Sequence, residues 1–196
     1  MSALLIGVIA VTLLNLYAAV LIVLRARVYG VKLYRPMLLN IGLSFLPVLL
    51  AVVLGAGLLL LTPLIGRATE AIAGAGTFAV WAYLIVATLL WLVFFPNSVY
   101  LITELNFSHR AETTPVPLWY DIVQTLALTL SGIANAVLSL AVVQTMGLVL
   151  IDRPDGRIPA ASWGFAATVI LPGAIDVYLG RYLRINSWDI QHPGSM

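Results

Sequence analysis

Apolar residues in this chain come in long unbroken runs, and the polar ones are gathered between them. The runs at 3–24, 37–61, 73–95, 122–148 and 160–180 each reach about the 20 residues that an α-helix needs to cross a hydrocarbon core. None alternates apolar and polar positions as a membrane β-strand would. The pattern predicts an all-α, multi-pass transmembrane bundle of about five spans, built as a single integral membrane domain over residues 1–196. The first run has no basic segment ahead of it and is longer than a signal-peptide core, so it reads as a retained helix.

Prolines and glycines mark the expected joints. Pro36 suits the first turn of the second span, whereas Pro47 and Pro172 lie inside spans and are expected to kink them. The GAG triplets at 55–57 and 74–76 flank TPLIGRATE, which reads as a loop, and their small residues permit close helix contact. The fourth apolar stretch, 118–151, is 34 residues long and as one straight helix would measure about 51 Å. That length predicts Trp119 and Tyr120 in the interfacial aromatic belt ahead of the span proper. The other resolution is a break near Ser131-Gly132, giving two half-helices.

Composition narrows the class. Only 9% of residues are charged and 62% are hydrophobic, against roughly a quarter charged in a soluble domain. The basic residues are spread between segments and form no nucleic-acid stripe, so no nucleic-acid partner is expected. The absence of cysteine removes disulfides, thiolate nucleophiles and cysteine metal sites. Arg25, Arg27, Lys32, Arg35, Arg110, Arg181 and Arg184 fall on one side of the predicted spans, and Arg67, Arg153 and Arg157 on the other. Seven against three predicts the N-terminus outside and the C-terminus in the cytoplasm.

The polar side chains inside and beside the spans are lopsided toward that same end. Asn40, Ser44 and Pro47 share one helical face. After Pro96 a short interfacial helix is expected, with Asn97 as its N-cap and with Asn97, Tyr100 and Glu104 on one face. Asp121 opens the fourth span, and Asp176, within the fifth, calls for an arginine partner. Arg181 and Arg184, three apart, can converge on one anion or reach separate carboxylates. Thr125, Thr129, Gly132, Ala136 and Ser139 form a small-residue stripe that predicts close helix packing, and Asn15 is expected to hydrogen-bond across a helix interface. His109 reads as a solvated loop residue, and Trp188 as an interface aromatic before anything else.

Taken together, these residues define a candidate site. Glu104, Asp121 and Asp189 would act as acid and base or hold a hard divalent cation. Arg181, Arg184, Asn97, Tyr100, Asn186 and Trp188 would bind an anionic or phosphate-bearing lipid, so membrane lipids are the expected partner. The alternative is structural, with the same residues forming a salt-bridge and capping network. A transporter ranks below both, because only Asn15, Ser131 and Asn135 lie near mid-membrane. No nucleotide loop, zinc signature or serine-hydrolase elbow occurs.

The segments PNSVYLITEL, WYD and YLGRYLRINSWD resemble the bacterial integral-membrane family catalogued as domain of unknown function family 1361. Its motifs look like P-N-x-x-Y-x-x-T-D-L and G-R-x-x-R-x-N-S-W-D. The resemblance covers the chain from the third span onward. It implies a multi-pass protein of the bacterial cytoplasmic membrane and brings no established activity. The matching positions are Pro96, Asn97, Tyr100, Thr103, Glu104, Leu105, Asp121, Gly180, Arg181, Arg184, Asn186, Ser187, Trp188 and Asp189. Glu104 stands where the motif has Asp, a longer carboxylate less suited to a strict metal geometry. Relatives often continue into another hydrophobic span, whereas here HPGSM follows.

Overall fold

The computed structural model describes residues 3–71, 74–105, 115–151 and 159–182. They form five α-helices: α1 (Ala3–Tyr29), α2 (Arg35–Ala71), α3 (Ala75–Tyr100), α4 (Leu118–Ile151) and α5 (Ala160–Tyr182), with a 3-10 turn at Leu101–Leu105 directly after α3. Four helices are long and apolar enough to cross a membrane, and α5 carries a shorter apolar segment, Ala160–Ile175. The five-span expectation thus resolves into four long candidate spans and one shorter apolar helix.

Neighbouring contacts set an up-and-down order. Asn15 meets Asn135 and Arg25 meets Asp121, so α1 and α4 run antiparallel. Ser44 meets Ser98 while Leu54 meets Tyr83, so α2 and α3 do the same. Phe165 stacks on Trp91 and Gly173 lies against Phe95 and Val99, which makes α5 parallel to α3. The helix at the centre is α4. More than half of its apolar window is buried, against less than a third in the other three long helices, because it packs on α1, α2 and α3 together.

Several expected joints are absent because the helices run through them. Helix α2 continues across TPLIGRATE to Ala71, so that segment is helical; the break comes at Gly74, whose φ of 81° favours glycine. Helix α3 likewise passes through Pro96, and Asn97 lies inside it instead of capping a new one. A proline forfeits only one backbone bond, and buried neighbours hold the helix on both sides of it: Phe95 and Ser98 are essentially inaccessible. Helix α4 is also continuous through Ser131-Gly132. Here glycine serves packing, since a Cβ on Gly132 would lie 2.9 Å from the Ser98 carbonyl oxygen and 3.0 Å from Leu101 Cβ.

The first GAG triplet acts the same way, with Gly55 against Met146 and Gly57 against the Tyr83 hydroxyl. Tyr120 departs from the aromatic-belt expectation. It is buried, donates its hydroxyl to the Leu21 carbonyl at 2.7 Å, and meets Tyr29 edge-on at 5.3 Å. Adjacent helical positions point about 100° apart, so Tyr120 turns toward α1 while Trp119 stays exposed.

Two apolar clusters fill the interior. One joins Ala18, Leu21, Ile22, Met37, Ile41, Leu101 and Leu128. The other joins Ala51, Trp91, Phe95, Leu140, Val143 and Val169. Between these clusters α2 buries Ser44, and α4 buries Thr129, Ser131 and Asn135.

Candidate functional site

That polar layer is a closed network. Asn15 Nδ2 donates to Asn135 Oδ1 at 2.8 Å, and Asn135 Nδ2 returns a bond to Asn15 Oδ1 at 3.1 Å. The remaining amide hydrogens go to the Val11 carbonyl, at 2.8 Å, and to Ser44 Oγ, at 2.9 Å. Ser44 Oγ in turn donates to the Ser98 carbonyl, and Ser98 Oγ donates to the Ser44 carbonyl. The Ser98 carbonyl is free to accept because α3 ends within a turn, where helical carbonyls lose their intrahelical partners. All four side chains are buried. Every amide hydrogen of the two asparagines is used, so the layer ties α1, α2, α3 and α4 together and offers no donor to a ligand.

The charged end lies about 15 Å from this layer along α1, ten residues on. There Arg25 Nε donates to Asp121 Oδ1 at 3.1 Å, with the two side chains 28% and 11% exposed. The placement suits both helices. Asp121 stands in the first turn of α4, where the positive end of the helix dipole favours an anion, and Arg25 stands near the C-terminus of α1, where a cation is favoured. Arg27 lies in the last turn of the same helix, Lys32 follows it, and Arg35 begins α2. Deeper in α4, Gln124 Oε1 and Thr129 Oγ1 are shut away without a hydrogen-bond partner among the described residues.

The topology brings the C-terminal ends of α1, α3 and α5 and the N-terminal ends of α2 and α4 to this one end. Tyr100 is there, exposed at the end of α3, and so is the half-buried Asn97 one turn earlier. Thr103 returns its hydroxyl to the Tyr100 carbonyl at 2.7 Å. Glu104 sits in the 3-10 turn, and Asp176 and Arg181 sit on the last turns of α5; their side chains are outside the described structure. His109, Arg110, Arg184, Asn186, Trp188 and Asp189 lie outside the described residues. So do Arg153 and Arg157. Among the described side chains, no three histidines or acids are grouped as a metal site.

Two features were hidden from sequence reasoning. Arg25 read as one of several topology anchors, and nothing in its neighbourhood marked it as the partner of a residue 96 positions away. Asn135 read only as one of the few polar residues near mid-membrane, and Ser98 carried no reading of its own. The available signal was that Asn15, Ser44, Ser98 and Asn135 each carry a hydrogen-bonding group into an apolar run, where an unpaired one would be costly.

Residues 39–196 match the model of a family described as Protein of unknown function (DUF1361). The match takes in more than half of the chain, which therefore belongs to that family. No curated protein and no solved structure matches it.

Proposed function

We propose that this member of the DUF1361 family binds the anionic, phosphate-bearing headgroup of a membrane lipid at the end of the bundle where Arg25 meets Asp121. The observation that carries the reading is the partly exposed Arg25, held through Nε by Asp121. A guanidinium gripped on one edge keeps its terminal nitrogens as a fork suited to a phosphate. Arg27, Lys32 and Arg35 add positive charge within the same eleven-residue stretch, 25–35, which contains no acid. Clusters of this kind beside a span attract anionic lipids.

In this reading the N-terminus is outside, the C-terminus is cytoplasmic, and the membrane is the cytoplasmic membrane of a bacterium. Arg181 and Arg184 close on the same anion, with Asn97, Tyr100, Asn186 and Trp188 around it. Glu104 and Asp189 are the carboxylates left for acid–base work or a divalent cation. Asp121 is already neutralised by Arg25 and serves to aim it.

Thermal stability in vesicles tests this. In neutral phosphatidylcholine the protein should melt several degrees lower than with a fraction of phosphatidylglycerol present. Arg25→Gln and Arg184→Ala should each shrink that difference. Equal melting in neutral and anionic bilayers would defeat the proposal.

A second reading is favoured by the Arg25–Asp121 pair and by the Tyr120–Leu21 bond beside it. The charged end would then be a structural lock. It predicts that Arg25→Gln lowers the melting point equally in both bilayers.

A further inference from the structure

We propose that a second lipid-binding site lies toward the other end of the bundle, where a cleft between α3, α4 and α5 holds one acyl chain of a membrane phospholipid. The cleft measures about 380 Å³ and is lined by Leu84, Thr88, Val143, Gln144, Gly147 and Phe165, among others. That is within the roughly 300–1,000 Å³ of small-molecule sites. It lies beyond the polar layer from Arg25: Gln144 is nine residues past Asn135 on α4, about 14 Å along the helix. The inference therefore does not rest on the headgroup site.

The occupant follows from the walls. Among the described residues no charged side chain lines the cleft, and its described walls are apolar apart from Thr88, Gln144 and Ser162. Leu84 and Val143 form a buried floor, while Trp81, Ile85 and Leu89 on the rim are more than half exposed. Those rim residues belong to a candidate membrane span, so the cleft is continuous with the surface the helices turn to lipid tails. A narrow apolar groove opening onto hydrocarbon selects a flexible apolar chain over water.

The polar groups give the chain a direction. Gln144 Nε2 donates to the carbonyl oxygen and to Oγ of Ser162, at 2.9 and 3.1 Å, which gathers hydrogen-bonding atoms where α5 begins. Exposed Trp163 stands beside them and Trp81 stands on the rim, ring types that favour the headgroup level. Thr88 lies deeper. Thr12, Thr62 and Thr145 return their hydroxyls to the carbonyl four residues back, but Thr88 makes no such bond. The ester end of the lipid thus sits by Ser162 and Gln144, and the chain runs inward past Thr88.

Gly147 supplies the test, because a side chain built there would meet nothing within 4 Å and would project into the cleft. The full chain, purified in mild detergent, is weighed by native mass spectrometry. In an Arg25→Gln background, which disables the headgroup site, the chain should retain one phospholipid, and adding Gly147→Trp should cut that population at least tenfold. Gly66→Trp, equally unobstructed but outside the cleft, should retain it. Should Gly147→Trp fail to fold, Thr88→Phe replaces it with the same expectation. Undiminished lipid in the cleft-filling variant overturns the proposal, as does an Arg25→Gln chain carrying none. A dimer that Gly147→Trp dissociates would overturn it too, since a second copy would then cover the cleft.

Discussion

The side-chain amides of Asn15 and Asn135 exchange hydrogen bonds across the interface of α1 and α4, at 2.8 and 3.1 Å. Each amide also bonds outward, to the Val11 carbonyl and to Ser44 Oγ, so neither can be removed without stranding its partner. Replacing Asn135 with Leu should cost about 1–2 kcal/mol, since interhelical hydrogen bonds in membranes are individually modest. The Asn15→Leu/Asn135→Leu double variant should lose less than the sum of the single changes. A double-mutant cycle on unfolding in detergent measures this, and strict additivity would show the pair to be uncoupled.

The close approach of α4 to the end of α3 depends on Gly132. A Cβ there would meet the backbone oxygen of Ser98 at 2.9 Å, an atom that cannot swing aside. Gly132→Ala should destabilise by about 1–3 kcal/mol, the usual range for overpacking. Gly42→Ala, where nothing lies within 4 Å, should be neutral or stabilising by up to ~1 kcal/mol through helix propensity. Melting temperatures of the two variants against wild type decide it.

Arg25 and Asp121 should fail asymmetrically. Removing the arginine takes the countercharge from a mostly buried carboxylate, whereas removing both charges leaves no charge to compensate. Arg25→Gln is expected to cost about 1–3 kcal/mol, between the surface and buried limits for ion pairs, because the arginine is partly solvated. Adding Asp121→Asn should recover part of that loss. Chemical unfolding of the wild type and the two variants in one neutral detergent checks it.

Tyr83 and Gly57 form a second coupled pair. The Tyr83 hydroxyl donates to the Leu54 carbonyl and occupies the space where a Gly57 Cβ would lie. Gly57→Ala should therefore displace the hydroxyl and cost about 0.5–1.5 kcal/mol, the worth of a typical hydrogen bond. In a Tyr83→Phe background the same change should cost less. Thermal unfolding of the four proteins reads the difference.

Orientation can be read directly because the chain has no cysteine. Single cysteines at Lys32 and Arg67, probed with a membrane-impermeant thiol reagent in sealed right-side-out vesicles, should label only at Arg67. Labelling at Lys32 alone would invert the proposed topology.

Much of the architecture was legible in the chain, and the errors have one cause. Span existence follows from apolar run length, which is a local quantity, and the runs found α1 to α4 and the weaker α5. Joint positions were misread at Pro96 and at TPLIGRATE because proline and glycine were taken as breakers, whereas the close packing expected at Gly132 is found. Packed against other helices, Pro96 loses only one backbone bond and Gly132 gains a close contact with Ser98. Of the candidate-site residues, Asn97, Tyr100 and Asp121 lie at one end of the bundle, but the pairing of Asp121 was not legible. Asp121 found Arg25, which no spacing rule connects to it.

What the sequence alone determines here is therefore one-dimensional: which segments are apolar enough to span, which end carries the excess of arginine and lysine, and which polar residues need partners. The tertiary structure decides who those partners are. Asn15 meets Asn135, Ser44 meets Ser98, and Arg25 meets Asp121 because antiparallel helices bring distant residues to one depth. In an apolar interior, a polar group lacking water must take what the neighbouring helix presents at that depth.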